Sequence, residues 1–183
     1  MTLTKTPICD FGKKAEAFNL KSTNGNNISL DEVKGKNGTL IMFICNHCPY
    51  VKAVISDIVY DCKILTDYGV SSLAICSNDV ENYPEDSFNK MQEFAIINKF
   101  NFPYLHDETQ IIAKKYGAVC TPDFFGYNKN LELQYRGRIR ELKNLKPVRG
   151  DDSELLNAMK EISKTGNGPK NQIPSMGCNI KWK

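Results

Sequence analysis

The residues most capable of chemistry in this sequence are two cysteines separated by two residues, Cys45 and Cys48. The apolar run 39–44 comes directly before them and predicts a buried strand. Pro49 comes directly after them, and proline is best tolerated in the first turn of a helix. A helix should therefore begin at or just after the two thiols. Two thiols at the start of a helix can form a small-ring disulfide, which is the chemistry of thiol–disulfide exchange.

The position of each thiol relative to that helix predicts its role. We expect Cys45 to be the more exposed sulfur and the attacking nucleophile, because backbone N–H groups and the helix dipole stabilise its thiolate. Cys48 lies one turn further in and would resolve the mixed disulfide. His47 lies between them, and a protonated imidazole would favour the thiolate and make the couple more oxidising. Asn46, in the same loop, is a candidate substrate contact.

Other interpretations of the cysteines stay open. The pair could be two packing cysteines, since a buried thiol behaves as a small hydrophobic side chain. A structural zinc site needs about four ligands, and the sequence lacks a second pair at suitable spacing. Cys120 and Cys178 are possible accessory thiols, the first in an alternative disulfide and the second as a resolving thiol on the tail. Packing is the alternative for both.

Composition and charge restrict the class of protein. The chain has 183 residues, about one domain, with seven cysteines and a formal net charge of +3. An odd number of cysteines argues against the disulfide scaffold of a secreted protein. The densest basic group, Arg136, Arg138 and Arg140, is interpreted as a solvated strand end, so nucleic acid is not an expected partner.

The N-terminal residues contain no apolar run of the kind that a secretory signal needs. No stretch of the sequence approaches the roughly 18 apolar residues of a membrane span. We therefore expect a cytoplasmic protein that does not bind a membrane.

The remaining apolar patterns alternate between strands and helices. Val51, Ile55, Ile58, Cys62 and Leu65 recur at helical spacing and predict the helix that follows the thiols. Strands are predicted at 17–20 and 28–30 (a hairpin), 39–44, 70–76, 103–106, 123–127 and 131–135. Further helices are predicted at 85–99, at 109–116 and from a capping box at 151–154. This order predicts an α/β fold with a central mixed β-sheet flanked by helices.

The pattern also divides the chain. Residues 1–16 are predicted to form an N-terminal arm, and the N-terminal hairpin extends the domain at 17–163. Residues 164–183 are rich in glycine, proline and asparagine and predict an irregular C-terminal tail. Apolar residues near its end, Ile180 and Trp182, indicate that this tail packs on the domain.

A second feature lies before a predicted strand, the segment Cys120-Thr121-Pro122. Together with the order of elements and the dithiol at a helix start, it resembles the thioredoxin superfamily. The resemblance implies that residues 17–163 form a thioredoxin-like domain and that Pro122 is a cis-proline facing the dithiol. It also implies that the backbone of Thr121 hydrogen-bonds to substrate, and no organic cofactor is implied.

Longer blocks narrow the resemblance. They are residues 42–52, 116–125, 135–138 and 174–183, and they resemble bacterial thioredoxin-like proteins grouped as alkyl hydroperoxide reductase/thiol-specific antioxidant (AhpC/TSA) proteins. Peroxiredoxins of this group carry Pro-x-x-x-Thr/Ser-x-x-Cys, with a hydroxyl that binds the peroxide. Gly38 and Met42 occupy those positions before Cys45, and Ile41 and Cys45 occupy them before Cys48.

The predicted function is therefore thiol–disulfide exchange through Cys45 and Cys48. Proteins that carry thiols or disulfides are the expected substrates, and a thioredoxin or glutathione type of electron donor is the expected second partner. Two alternatives stay open. One is a peroxiredoxin-like thiol peroxidase, and the other is a redox metallochaperone that holds copper by the two cysteines and a distant His106.

Overall fold

The computed structural model describes residues 3–7, 10–150 and 152–183. The strands are β1 Leu3–Lys5, β2 Asn19–Ser22, β3 Asn27–Ser29, β4 Gly38–Phe43, β5 Val70–Cys76, β6 Tyr104–His106, β7 Cys120–Thr121, β8 Asp123–Asn128, β9 Leu133–Tyr135, β10 Leu142–Lys143, β11 Lys146–Pro147 and β12 Met176–Asn179. The helices are α1 Leu30–Val33, α2 Pro49–Thr66, α3 Phe88–Ile97, α4 Ile111–Tyr116 and α5 Glu154–Thr165, with a 3₁₀ turn at Pro84–Asp86.

The central sheet has seven strands in the order β3-β2-β6-β5-β4-β8-β9. Strand β4 pairs in parallel with β5 and antiparallel with β8, so the sheet is mixed, as predicted. Successive residues of β4 point to opposite faces, which the period of a strand requires. Leu40 and Met42 pack in the core under α2 and α5, whereas Ile41 and Phe43 pack in a second core against α4.

Helix α2 positions the thiols. Its N-cap is Cys48 and its first residue is Pro49, as the sequence predicted. The five apolar residues at helical spacing, 51, 55, 58, 62 and 65, are all buried against the sheet. Helix α2 has 18 residues, and none of the described helices is long and apolar enough to cross a membrane.

The C-terminal segment differs from the predicted irregular tail. Residues Met176–Asn179 form strand β12, which lies between β1 and β7 in a second, three-stranded sheet. The side chain of Ile180 is buried in the core beside α4. The sequence did not predict this short strand, because its residues, Met-Gly-Cys-Asn, have little intrinsic preference for strands.

Two further differences concern local signals. Helix α5 begins at Glu154, and its N-cap is Ser153, whose hydroxyl accepts a hydrogen bond from the backbone N–H of Leu156. The predicted capping residue, Asp151, lies outside the described residues. The hairpin of β10 and β11 was not predicted, because each of its strands has only two residues.

The interpretation of Arg136 as solvated charge is wrong. Its guanidinium is buried, lies 2.9 Å from the carboxylate of Asp123 and stacks over the ring of Phe125. Burial raises the pKa of Asp123 to about 6, and the hydrogen bonds from Arg136 oppose that rise. This ion pair fixes the residue that directly follows Pro122, and so supports the loop beside the dithiol.

Removing the guanidinium should leave a buried carboxylate without its counter-charge. We expect Arg136→Met to reduce the free energy of unfolding by about 3–5 kcal/mol at pH 7, as measured by urea denaturation. The pKa of Asp123 then rises further above its unfolded value. The variant should therefore lose stability as the pH increases from 5 to 7, because the native state must give up a bound proton.

The matched control is Arg138→Met, because Arg138 pairs with Glu154 at 2.8 Å on a partly exposed surface. Such pairs contribute at most about 1 kcal/mol. Equal losses in the two variants would contradict the role assigned to the buried pair.

Candidate active site

Cys45 and Cys48 lie between the end of β4 and the start of α2, and both are buried, with exposures of 1% and 0%. Thr121 contacts both sulfurs from the neighbouring β7. Its hydroxyl Oγ1 lies 3.3 Å from Cys45 Sγ, and its carbonyl oxygen lies 3.1 Å from Cys48 Sγ. The peptide bond between Thr121 and Pro122 is cis. The structure thus brings together four of the residues that the sequence selected.

The ionisation of each thiol depends on the other. Hydrogen bonds from Cys45 and, to a smaller extent, from Cys178 lower the pKa of Cys48 to about 5, although burial opposes them. The hydrogen bond with Cys48, followed by burial, raises the pKa of Cys45 well above its ordinary value. The pair therefore loses its first proton easily and holds the second strongly. The sequence placed the thiolate on Cys45, whereas these hydrogen bonds favour it on Cys48.

Thr121, by contrast, favours the thiolate on Cys45. Its hydroxyl can donate a hydrogen bond to a thiolate at Cys45, and its carbonyl can accept one from a thiol at Cys48. One proton shift across the Cys45–Cys48 hydrogen bond exchanges the two charge states. The site therefore supplies partners for a thiolate on either sulfur.

His47 is held by a carboxylate that the sequence did not reveal. Its Nδ1 lies 2.7 Å from Oδ2 of Asp86, whose side chain is fully buried. The hydrogen bond to Asp86 raises the pKa of His47, while burial opposes the rise. Burial alone would raise the pKa of Asp86, but hydrogen bonds from His47 and Asn78 lower it overall. The pair therefore favours an imidazolium beside the two thiols.

Asp86 also fixes the backbone of the loop. Its Oδ1 accepts a hydrogen bond of 2.7 Å from the backbone N–H of Asn46. The Asn46 side chain is itself occupied, because its Nδ2 donates to the carbonyl of Glu85 and its Oδ1 accepts from the hydroxyl of Tyr104. In this structure Asn46 positions the loop, whereas the sequence offered it as a substrate contact.

Strand β12 covers the inner thiol. Cys178 lies opposite Thr121 in the β12–β7 register, and its Sγ is 3.0 Å from Cys48 Sγ. The neighbouring Gly177 is packed against the backbone carbonyl of Thr121, so that a Cβ atom there would overlap it. One edge of β7, where the resemblance implied substrate binding, is thus paired with the tail.

The tail also reaches His47 through an aromatic ring. Tyr83 stacks on His47 with ring centroids 5.6 Å apart and an interplanar angle of 10°. The ammonium group of Lys181 lies 5.6 Å from the centroid of the same Tyr83 ring. The backbone N–H of Lys181 donates to Oδ1 of Asn78, the residue whose amide bonds Asp86.

An apolar cavity of about 240 Å³ opens beside the cis peptide. Pro122 and Phe124 form one side of it, and Tyr50 and Val54 from the first turns of α2 form another. The tail contributes residues 173–176 to its wall. The apolar walls of the cavity fit an apolar side chain, and Lys5, Arg138 and Arg140 add charged groups to its lining.

The remaining candidates occupy other positions. Among the described residues, the group that could hold a metal ion is Cys45, His47 and Asp86, with ligand atoms within 4.8 Å of one another. His106, the proposed copper ligand, is not in that group. Cys120 is buried on β7, and its Sγ lies 3.7 Å from the carbonyl oxygen of Pro122.

Sequence spacing alone could not have identified Asp86, which lies 39 residues after His47. A signal did exist. Strands β4 and β5 are parallel, so the segments that follow them lie at the same edge of the sheet. Acidic residues between β5 and α3 were therefore candidates to meet the loop after β4.

Replacing Asp86 by asparagine should lower the pKa of His47, because a neutral amide no longer favours the imidazolium. The imidazole C–H signals in an NMR titration measure this pKa, and the chain has only two histidines. Glu85→Gln is the matched comparison, since it retains the carbonyl that accepts from Asn46 and removes only a smaller electrostatic contribution, so it should lower the pKa of His47 by less. An unchanged His47 titration in Asp86→Asn would contradict the assigned pairing.

Gly177→Ala should displace β12 from Thr121 and uncover the buried thiols. We expect iodoacetamide to label the dithiol at least tenfold faster, because local opening controls the reaction of a buried group. The control is Gly150→Ala, where an added Cβ meets no atom within 4 Å. Equal labelling rates in the two variants would show that the tail does not limit access.

The sequence matches the model of the AhpC/TSA family over residues 11–142. A search of the curated proteins found no match. Among solved structures, an uncharacterized conserved protein from Geobacillus kaustophilus is 40% identical, covering 100% of this chain and 97% of its own, with a TM-score of 0.94. A hypothetical protein from Sinorhizobium meliloti 1021 is 33% identical, covering 98% of each chain, with a TM-score of 0.91.

A more distant structure shares the fold alone. It is the thioredoxin domain of a thiol-disulfide oxidoreductase from Bacteroides vulgatus, 16% identical, covering 85% of this chain and 99% of its own, with a TM-score of 0.66. The predicted thioredoxin fold is therefore confirmed. With the family model matching well over half of its length, this chain belongs to the AhpC/TSA family.

Proposed function

We propose that the protein is a thiol–disulfide oxidoreductase in which Cys45 and Cys48 exchange disulfides with protein or small thiols. One observation carries the proposal. The two buried thiols lie together at the start of α2, and the hydroxyl and carbonyl of Thr121 each contact one of the two sulfurs. Such an arrangement supplies a thiolate near neutral pH, which is the reactive species in exchange.

The first step is attack by Cys45 on a substrate disulfide. The Cys48 thiolate takes the proton of Cys45 across their hydrogen bond, and the Thr121 hydroxyl, 3.3 Å away, stabilises the thiolate that forms on Cys45. A bond forms between Cys45 and one substrate sulfur. The other substrate sulfur leaves as a thiolate.

The second step releases the substrate. Cys48 passes its proton to the substrate thiolate released in the first step, attacks the Cys45 sulfur and forms the Cys45–Cys48 disulfide. The second substrate sulfur leaves as a thiolate, so that two electrons pass to the substrate. The His47 imidazolium favours the anionic sulfur throughout. A thioredoxin or glutathione type of donor then reduces the disulfide, and in a cytoplasmic setting this direction, reduction of substrates, is the one we propose.

The substrate must approach past the tail. The cavity beside Pro122 and Tyr50 accepts an apolar residue next to the target cysteine. Strand β12 already pairs with β7, so backbone pairing between substrate and that edge of Thr121 requires β12 to move. We therefore propose substrates that are protein disulfides flanked by an apolar residue.

Thiol peroxidase activity is the second candidate, and one contact favours it. The Thr121 hydroxyl lies where it can hydrogen-bond a peroxide oxygen bound at Cys45. The positions that carry the peroxiredoxin pocket, Gly38 and Met42, are instead buried in β4 and supply no hydroxyl. We rank disulfide exchange first for this reason.

Stopped-flow mixing of the reduced protein with a mixed-disulfide peptide, and separately with hydrogen peroxide, distinguishes the two activities. We expect fast exchange with the peptide and a slow peroxide reaction. Cys45→Ser should lower the peptide exchange rate at least a hundredfold, and Cys48→Ser should accumulate a stable Cys45–peptide adduct detectable by mass spectrometry.

Cys62→Ser is the control, because Cys62 is buried on the same helix and burial raises its pKa to about 12. It should retain the wild-type exchange rate. A peroxide reaction at Cys45 far faster than that of an ordinary thiolate would reverse the ranking in favour of the peroxidase.

A further inference from the structure

Cys178 is a thiol that the exchange reaction leaves unused. Its Sγ lies 3.0 Å from Cys48 Sγ, whereas a disulfide bond measures about 2.05 Å. Closing the gap therefore requires a movement of about 1 Å. Cys48 meets two thiols at once, since it is also hydrogen-bonded to Cys45.

The contact is maintained from both sides of Cys178. Before it, the hydroxyl of Ser175 donates a hydrogen bond of 2.7 Å to the carbonyl of Pro122, and Gly177 allows the close approach to Thr121. After it, Ile180 is buried in the core, and its backbone N–H bonds the carbonyl of Val119. The tail thus presents the Cys178 sulfur to Cys48 as a fixed element.

We propose that Cys178 is a third redox-active thiol, which displaces Cys45 from its disulfide with Cys48 once the dithiol has been oxidised. This rests on the proposed function. The Cys178 sulfur attacks the Cys48 sulfur of the Cys45–Cys48 disulfide. The bond between Cys45 and Cys48 breaks, and a bond between Cys48 and Cys178 forms. The proton of Cys178 passes to the Cys45 thiolate that leaves, and no electrons are gained or lost.

The surroundings favour both the attacking thiol, Cys178, and the leaving thiolate, Cys45. In the reduced protein, burial and the thiolate at Cys48 raise the pKa of Cys178 to about 12. A disulfide at Cys48 carries no negative charge, so the part of the rise that comes from the thiolate is removed. The leaving Cys45 thiolate meets the Thr121 hydroxyl.

The exchange changes what the oxidised protein can do. With Cys48 bonded to Cys178, Cys45 is again a nucleophile, although the protein still stores one disulfide. A mixed disulfide formed at Cys45 in this state is not resolved by Cys48. The oxidised protein would then rearrange substrate disulfides, whereas the reduced protein would reduce them.

Peptide mapping can separate the two disulfides. Trypsin places Cys45 and Cys48 together in peptide 37–52 and Cys178 in peptide 171–181. A Cys45–Cys48 bond makes peptide 37–52 lighter by two hydrogens. A Cys48–Cys178 bond joins the two peptides and leaves Cys45 alkylated, which fragmentation of the joined peptides locates. The protein is equilibrated in a glutathione redox buffer, quenched in acid, alkylated, digested and analysed by mass spectrometry without reduction.

We expect the joined peptides in at least about one tenth of the oxidised wild-type molecules. Cys45→Ser should form the joined peptides as its main disulfide, and Cys48→Ser should not form them. Cys120→Ser is the matched control, because Cys120 lies on β7 opposite Asn179, one position along the same register. It should give the same ratio of the two disulfides as the wild type.

Oxidised wild type that contains only the bond within peptide 37–52 would overturn the role of Cys178 and leave the proposed exchange function intact. Joined peptides as the only disulfide of the wild type would support a redox-active Cys178 and contradict the proposed Cys45–Cys48 couple. The two proposals can therefore fail independently.

Discussion

The burial of two ionisable thiols is the constraint on which this structure depends. Both sulfurs of the dithiol are shielded from water, and a charge in such a place persists only if hydrogen bonds replace hydration. Each donor and acceptor comes from a different part of the chain. Thr121 belongs to β7 and Cys178 to β12, whereas Asp86, which holds the imidazole of His47, belongs to the segment after β5. The fold can be understood as the framework that brings these groups to one helix start.

Asp86 joins the electrostatics of the site to its backbone. One carboxylate oxygen bonds His47 and Asn78, and the other bonds the backbone N–H of Asn46. The loop geometry and the charge of the imidazole therefore depend on the same side chain. Because burial disfavours an isolated carboxylate, these bonds are what keep Asp86 ionised.

The part of the site that the sequence predicted is the part that is local in sequence. A buried strand, two thiols and Pro49 specify the start of α2 by hydrophobic pattern and backbone geometry, and the five-residue apolar face specifies its orientation. The partners of those thiols could not be derived this way. Asp86 depends on which strands are neighbours, and Arg136 depends on a buried counter-charge at Asp123 that no periodicity reveals. Strand β12 depends on pairing with β1 and β7, since its own residues carry little preference for a strand.

The ring of Tyr83 contacts both the imidazole of His47 and the ammonium group of Lys181, so we expect the charge of the imidazole and the attachment of the tail to be linked. An equilibrium for protonation and an equilibrium for docking then share a coupling free energy, and each must shift the other by the same factor. We therefore expect a change of pH to act on a segment more than 130 residues away along the chain. The C-terminal segment that covers the dithiol is therefore also expected to respond to the charge of His47.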